Sequence, residues 1–230
     1  MAVSSRYDFM GGYEHDTKGG LLHVADHHLV PGKKQWTWGN SDFGIAWDRN
    51  LTDEDGPYIE LMTGVFTDNQ PDFSWLQPYE EKEFNQYFMP YSELGEVKNA
   101  SKEAAVNLTF SGQQIELKLY VTSYYQQLTV ELQNEGNSFF SETIACSPEQ
   151  IFTTQLNLKV AAEDIKVIVT DNNSGEELIS YQQEKTPAPD IPAPAMAEQK
   201  TGELDSYEQL FLTGLPLEQY RHAAFDAKRH

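Results

Sequence analysis

Tryptophans and histidines concentrate in the first third of the sequence, where they offer the most chemistry. All four tryptophans and four of the six histidines lie among the first 75 residues. Aromatic rings stack on the C–H faces of a sugar, while carboxylates, amides and imidazoles hydrogen-bond its hydroxyls. The predicted ligand-binding residues combine both kinds of side chain: Trp36, Trp38, Asp48, Asp68, Gln70, Asp72 and Trp75. We therefore expect a carbohydrate ligand in this part of the chain.

The same residues also have structural interpretations. Trp36 and Trp38 are two positions apart, so on a strand they would share one face. That face could be a stacking platform for a sugar ring or a pair of core rings. The segment Asp68–Asp72 could bind hydroxyls, or its side chains could cap the backbone of their own loop. The sequence leaves these alternatives open.

Glu60, His27 and His28 are the predicted catalytic residues. Opening a sugar ring requires a base that takes the proton of the anomeric hydroxyl and an acid that protonates the ring oxygen. A carboxylate and an imidazole suit this exchange near neutral pH. Alternatively, Glu60 is a solvated strand residue, because its neighbours Ile59 and Leu61 would point to the opposite face. On a strand, only one of the two adjacent histidines would face a given pocket. The alternative is that both histidines are structural hydrogen-bonding groups.

We expect no metal ion and no cofactor. His23 and His27 lie near Asp26, but a His-x-x-x-His pair converges on one ion only when it lies on a helix. The following Pro31 and Gly32 favour a strand and a turn instead. The acidic Asp53–Gly56 segment lacks the ligand spacing of a calcium loop, so it is expected to be a charged turn.

The elements that must position these residues are predicted to be mainly β. Residues 1 to 98 alternate short apolar bursts with turn signals, which is typical of short strands joined by long loops. Residues 99 to 184 show period-two alternation, for example at Ile115, Leu117, Leu119 and Val121. This pattern indicates antiparallel strands with one wet face, and about seven of them suggest an immunoglobulin-like β-sandwich.

The last part of the chain is predicted to be a linker followed by helices. Prolines recur through residues 185–200, which favours an extended linker. Ser206 is a candidate helix N-cap and Gly214 a candidate stop, with a second helical pattern after it. Residues 201–230 therefore read as short C-terminal helices.

A string of motifs in the first 98 residues resembles an uncharacterised bacterial family. The string contains Tyr7-Asp-Phe-Met-Gly-Gly, Pro31-Gly-Lys-Lys-Gln-Trp-Thr-Trp-Gly and Trp47-Asp-Arg-Asn-Leu-Thr-Asp-Glu-Asp-Gly-Pro-Tyr-Ile-Glu-Leu-Met. In that family, a galactose-mutarotase-like domain precedes tetratricopeptide repeats. The resemblance implies that residues 1–98 are the C-terminal part of a mutarotase-like supersandwich. It also implies that residues 201–230 lead into repeats that would bind protein partners.

The mutarotase pattern itself is similar to Glu60-Leu-Met, Gln70-Pro-Asp and Leu76-Gln-Pro-Tyr-Glu80. The resemblance places Glu60 at the catalytic base. Tyr79 stands where the pattern has glycine, and neither His27 nor His28 lies in a copy of the family's histidine motif.

Composition narrows the classes of partner. The net charge of −20 argues against nucleic acid and against an anionic membrane surface. The single Cys146 excludes an internal disulfide and fits the cytoplasm, as does the absence of a signal-peptide pattern at the N-terminus. The predicted function is carbohydrate recognition within a larger protein, with epimerase or glycoside-hydrolase-like activity as its enzymatic form. The alternative is a non-catalytic structural or protein-interaction module that scaffolds a repeat array.

Overall fold

The computed structural model describes residues 6–52, 54, 56, 58–66, 76–157, 164–183, 202, 204, 206–219 and 228. Thirteen strands and two helices lie in these ranges. The first part contains β1 (Phe9–Glu14), β2 (Gly19–Val24), β3 (Lys34–Trp36), α1 (Asp42–Leu51), β4 (Glu60–Met62) and β5 (Tyr87–Ser92). The second contains β6 (Asn99–Ala100), β7 (Ala104–Ser111), β8 (Gln114–Val121), β9 (Tyr125–Asn134), β10 (Asn137–Cys146), β11 (Phe152–Asn157), β12 (Ile165–Asp171) and β13 (Glu177–Gln182). Helix α2 (Tyr207–Gln219) follows.

Contacts divide the chain into two compact units. One comprises Met1–Val65 with Lys82–Lys185, and the other comprises Phe66–Glu81 with Thr186–His230. All thirteen described strands and α1 belong to the first unit, while α2 belongs to the second. The prediction of a mainly β protein is confirmed.

Two four-stranded antiparallel sheets share one apolar core. Their strand orders are β10–β9–β12–β13 and β11–β8–β7–β6. The predicted period-two pattern is visible in β8, where Ile115, Leu117, Leu119 and Val121 are buried and the residues between them are half-buried. Both sheets contribute to this core, as expected of a β-sandwich. Cys146 is also buried in it, and burial raises the pKa of its thiol.

A smaller core joins a three-stranded sheet, β1–β2–β5, to the sandwich. Leu22, Met89 and Tyr91 from this sheet pack with Ala100 and Ala105. Alternate residues of β7 therefore serve different cores, since Ala104 and Val106 belong to the large core and Ala105 to the small one. This double burial explains why the start of β7 is apolar without interruption.

Glycines allow the three-stranded sheet to pack closely. A Cβ on Gly20 would lie 2.4 Å from Cζ of Tyr91, so the tyrosine ring rests against bare backbone. A Cβ on Gly11 would lie 2.6 Å from Cδ2 of Leu22. Neither position has room for a side chain.

Helix α1 corrects the sequence prediction of strands and loops alone in this region. Ser41 caps its start, with the Ser41 hydroxyl accepting from the backbone N–H of Gly44 at 3.4 Å. Strand β3 ends at Trp36, so Trp38 lies outside it and the predicted shared strand face of the two tryptophans does not form. A Cβ on Gly44 would lie 2.2 Å from the carbonyl oxygen of Trp38, which shows how closely α1 approaches this segment.

Helix α2 confirms one predicted boundary and corrects another. The Ser206 hydroxyl accepts from the backbone N–H of Gln209 at 3.1 Å, which confirms the N-cap. Gly214 does not end the helix, because the helix continues to Gln219. A glycine stops a helix only where the chain turns into the left-handed region, and here it stays helical. The predicted linker, residues 185–200, lies outside the described residues, and no helix among the described residues is long and apolar enough to span a membrane.

The sandwich core makes a stability prediction. Leu117 is fully buried, so Leu117→Ala should lower the free energy of unfolding by about 2–5 kcal/mol through lost burial and a cavity. The control, Leu212→Ala, changes a leucine that is 57% exposed and should shift stability by less than about 0.5 kcal/mol. Urea denaturation followed by circular dichroism measures both. Equal effects would contradict the assignment of Leu117 to the core.

Candidate functional site

Trp36 and Glu60 form a cross-strand pair. They lie directly opposite each other in the two-stranded antiparallel sheet of β3 and β4. Residues opposite each other share a face of the sheet, with Cβ atoms about 4.5–5.5 Å apart. The structure therefore brings together a predicted stacking ring and the predicted catalytic base. Trp36 is 47% exposed, and the Tyr58 hydroxyl contacts Oε1 of Glu60 at 3.5 Å.

Trp38 lies in an aromatic cluster with residues of and beside α1. Its ring centroid is 6.0 Å from that of Trp47 and 6.3 Å from that of Tyr58. Phe43 stacks on Trp47, with 6.1 Å between their ring centroids. The indole N–H of Trp38 is buried and has no hydrogen-bond partner in the part of the chain that the structure describes. This tryptophan is therefore a packing residue rather than an open platform.

Asp48 has a local structural contact. Its carboxylate accepts from the Thr52 hydroxyl at 3.2 Å, and its backbone carbonyl accepts from the Thr52 N–H at 2.9 Å. These bonds close the C-terminal turn of α1. The other predicted ligand-binding residues, Asp68, Gln70, Asp72 and Trp75, lie outside the described residues.

His27 and His28 lie on a turn and not on a strand. Their ring centroids are only 3.9 Å apart, so the two imidazoles lie side by side. On a strand, the two side chains would instead point to opposite faces. Nδ1 of His27 is 2.6 Å from Oδ1 of Asp8. Among the described contacts, no hydrogen bond, ion pair or ring contact joins either histidine to Glu60. The catalytic pairing of these residues stays a prediction.

An open groove lies along the β1–β2–β5 sheet and is closed by Thr52, Tyr58, Ile59 and Leu61. Its volume is about 980 Å³, within the size range of small-molecule sites. None of the residues that line it is among the site residues predicted from the sequence. They include four aromatic rings, Tyr13, Tyr58, Phe88 and Tyr91, together with Glu14 and Thr17.

The groove adjoins strand β4. Ile59 and Leu61, which flank Glu60, line it, whereas Glu60 is on the opposite face of its strand. Phe88 is 61% exposed and offers its ring to the groove. Burial, then the nearby Tyr13 and Glu96, raise the pKa of Tyr91 to about 12, so its hydroxyl stays neutral and donates to the Gly95 carbonyl at 3.1 Å.

His23 is a buried imidazole of β2 that lies directly opposite Phe88 of β5. Its Nε2 is 3.0 Å from Oε1 of Gln86, and its ring packs edge-on against Phe88 with centroids 5.2 Å apart. Nδ1 is buried without a hydrogen-bond partner among the described residues. Burial lowers the pKa of His23, because the charged imidazolium would be poorly solvated there.

Two family models match successive parts of the chain. Residues 1–91 match a domain of unknown function, DUF5107, and residues 99–181 match the second domain of YphG-like proteins. No solved structure matches the chain. The first match supports the expectation of an uncharacterised family for this part of the chain. The mutarotase-like and repeat components of the resemblance stay predictions.

The buried His23 makes stability depend on pH. Its pKa is lowered in the folded state, so the unfolded chain binds more protons and stability falls as the pH drops below about 6.5. In His23→Gln, the urea midpoint should change less between pH 7 and pH 5 than it does in wild type, because histidine titrates in this range. The control His15→Gln alters an exposed histidine and should keep the wild-type slope. An unchanged slope in His23→Gln would refute the assignment.

Proposed function

We propose that the chain recognises a carbohydrate in the groove beside β4. The observation that carries the proposal is the combination of Tyr13, Tyr58, Phe88 and Tyr91 with Glu14 and Thr17 around one open volume of about 980 Å³. Phe88 and Tyr58 are the exposed rings of this set and favour the C–H faces of a sugar, while the carboxylate and hydroxyl favour its hydroxyls. The location differs from the tryptophan-based expectation but stays in the same part of the chain.

The charge balance and the shape of the groove fit an uncharged ligand. The chain carries 36 acidic and 16 basic residues, so a neutral sugar avoids the repulsion that an anionic ligand would meet. The open groove also suits a ring that lies flat against aromatic side chains. We propose a mono- or disaccharide as the ligand class.

Gly12 gives a direct test of the groove. It lines the groove, and nothing lies within 4 Å of a Cβ added there, so a side chain at this position would occupy ligand space without disturbing packing. Gly12→Leu should weaken sugar binding at least about tenfold, the equivalent of about 1.4 kcal/mol. Gly12→Ala is the matched control and should stay within about twofold of wild type.

Isothermal titration with a panel of neutral mono- and disaccharides measures these affinities. Phe88→Ala should weaken binding of the same sugar by roughly two- to tenfold, because a ring contact contributes about 0.5–1.5 kcal/mol. Absence of binding to every sugar, or equal binding by Gly12→Leu, would refute the proposal.

The enzymatic form of the proposal is a separate site: it places the sugar against Trp36, on the side of β4 away from the groove, with Glu60 as the base. Its support is the Trp36–Glu60 pair, which places a ring and a carboxylate on one face. If the chain interconverts the anomers of its sugar, Glu60→Gln should reduce the rate at least about a hundredfold, as expected for removal of a general base. Exchange spectroscopy by NMR measures the rate. Glu142→Gln, at an exposed residue of β10, is the control, and full activity of Glu60→Gln would contradict the assignment.

A second candidate function is protein interaction, and it rests on a different observation. Helix α1 exposes Phe43, Ile45 and Trp47, with Phe43 75% exposed. Exposed aromatic residues that lie together are typical of interaction surfaces. On this alternative, the domain scaffolds a partner and the sugar titrations above give no response.

We also propose the finer parts of the resemblance as a working architecture. Residues 1–98 would form part of a mutarotase-like supersandwich, residues 99–184 an immunoglobulin-like sandwich, and residues 201–230 the lead-in to tetratricopeptide repeats. The support is the three-stranded sheet β1–β2–β5 in the first segment, the two-sheet sandwich in the second and helix α2 in the last. A cytoplasmic location is proposed from the single, buried Cys146.

A further inference from the structure

We propose that Asp26, His27 and His28 bind a divalent transition-metal cation of the Zn²⁺ type. The three residues each offer a ligand atom, and these atoms lie within 4.8 Å of one another. The predicted absence of a metal rests on the spacing of His23 and His27. The structure instead gathers adjacent residues on a turn, and this set does not depend on a helix.

The turn is held in place by backbone hydrogen bonds. The N–H groups of Leu29 and Val30 donate to the Asp26 carbonyl at 3.1 and 2.8 Å. Val30 is fully buried and anchors the end of the turn. Oδ1 of Asp26 accepts from the backbone N–H of His28 at 2.8 Å, which leaves the second carboxylate oxygen for a ligand bond. The donor atoms are therefore presented by an ordered backbone.

Asp8 fixes the orientation of His27 from behind. Its Oδ1 accepts from the His27 backbone N–H at 2.8 Å and contacts Nδ1 of the ring at 2.6 Å. With Nδ1 donating to Asp8, the lone pair of His27 lies on Nε2. A carboxylate behind a ligating histidine is the usual outer partner in metal sites, because it fixes the tautomer and makes the imidazole a better ligand.

The donor set determines the kind of ion. Two imidazoles and one carboxylate suit Zn²⁺ and its neighbours, whereas Mg²⁺ and Ca²⁺ prefer oxygen ligands alone. Tetrahedral zinc, with bonds of about 2.0–2.1 Å, needs ligand atoms about 3.4 Å apart. Asp26 and His28 are exposed, so small side-chain rotations can bring the donors to that separation. Three ligands leave a position for water or a small molecule.

Titration of the whole chain with Zn²⁺ alone at pH 7 tests the proposal. We expect one site in calorimetry, and His28→Ala should weaken it at least about tenfold, the lower end of the range for loss of a metal-site partner. His15→Ala is the matched control, because His15 is an exposed histidine outside the cluster. Its affinity should stay within about twofold of wild type. No saturable binding, or equal affinity of His28→Ala and wild type, would overturn the proposal.

Asp8→Asn separates orientation from direct ligation. It should weaken Zn²⁺ binding by about 10–100-fold while keeping one site, since Asp8 acts through His27. The visible spectrum of the Co²⁺-loaded chain gives a second readout: intense tetrahedral bands are expected in wild type and weakened bands in Asp8→Asn. The urea midpoint of the metal-free variant shows whether it is folded. A folded Asp8→Asn chain with wild-type affinity and spectrum would overturn the role of Asp8.

The metal proposal is independent of the sugar proposal. The Asp26–His28 turn shares no residue with the groove lining. Gly12→Leu should therefore leave Zn²⁺ affinity unchanged, and the failure of either proposal would be distinguishable from the failure of the other.

Discussion

Strand β7 is buried on both faces, and the arrangement of the first unit depends on this constraint. One set of its side chains packs in the sandwich, and the alternate set packs against the β1–β2–β5 sheet. Asn107 extends the connection, since its side-chain amide donates to the Leu94 carbonyl at 2.9 Å. Strands of the same small sheet line the groove, so this packing also holds the groove lining in place. The His27 turn directly follows β2, a strand of that sheet.

The sandwich was predictable because its physical signal is local. Alternation in β8 and β9 records which residues face the core, and no knowledge of the partner strand is needed. The groove was not predictable in this way. Tyr13 and Phe88 are 75 positions apart in sequence, and only the pairing of β1 and β5 with β2 brings both into the lining of one groove. The Trp36–Glu60 pair depends on register for the same reason: each residue was identified singly, but their pairing was not.

Helix α1 and the histidine turn show two other limits. Ser41 before Phe43, Trp47 and Leu51 at four-residue spacing is a helix signal, and it was present in the sequence. The Gly and aromatic content of the same region favours loops, so composition and spacing point to different structures here. The sequence favours a strand and a turn around the histidines, because Pro31 and Gly32 follow them. The backbone carbonyl of Asp26 instead accepts two N–H groups, and this closure turns neighbouring side chains toward each other. Propensity gave way to a specific hydrogen-bonded turn.

Cys146 has a consequence for the behaviour of the folded chain in time. The nucleophile in thiol alkylation is the thiolate, and this group is both enclosed in the sandwich core and held in its protonated form by burial. Cys146 ends the edge strand β10, so a reagent can reach it when that strand end opens locally. Because it is the single cysteine in the chain, alkylation reports such openings at one known place. The alkylation rate of Cys146 therefore measures how often this part of the fold opens.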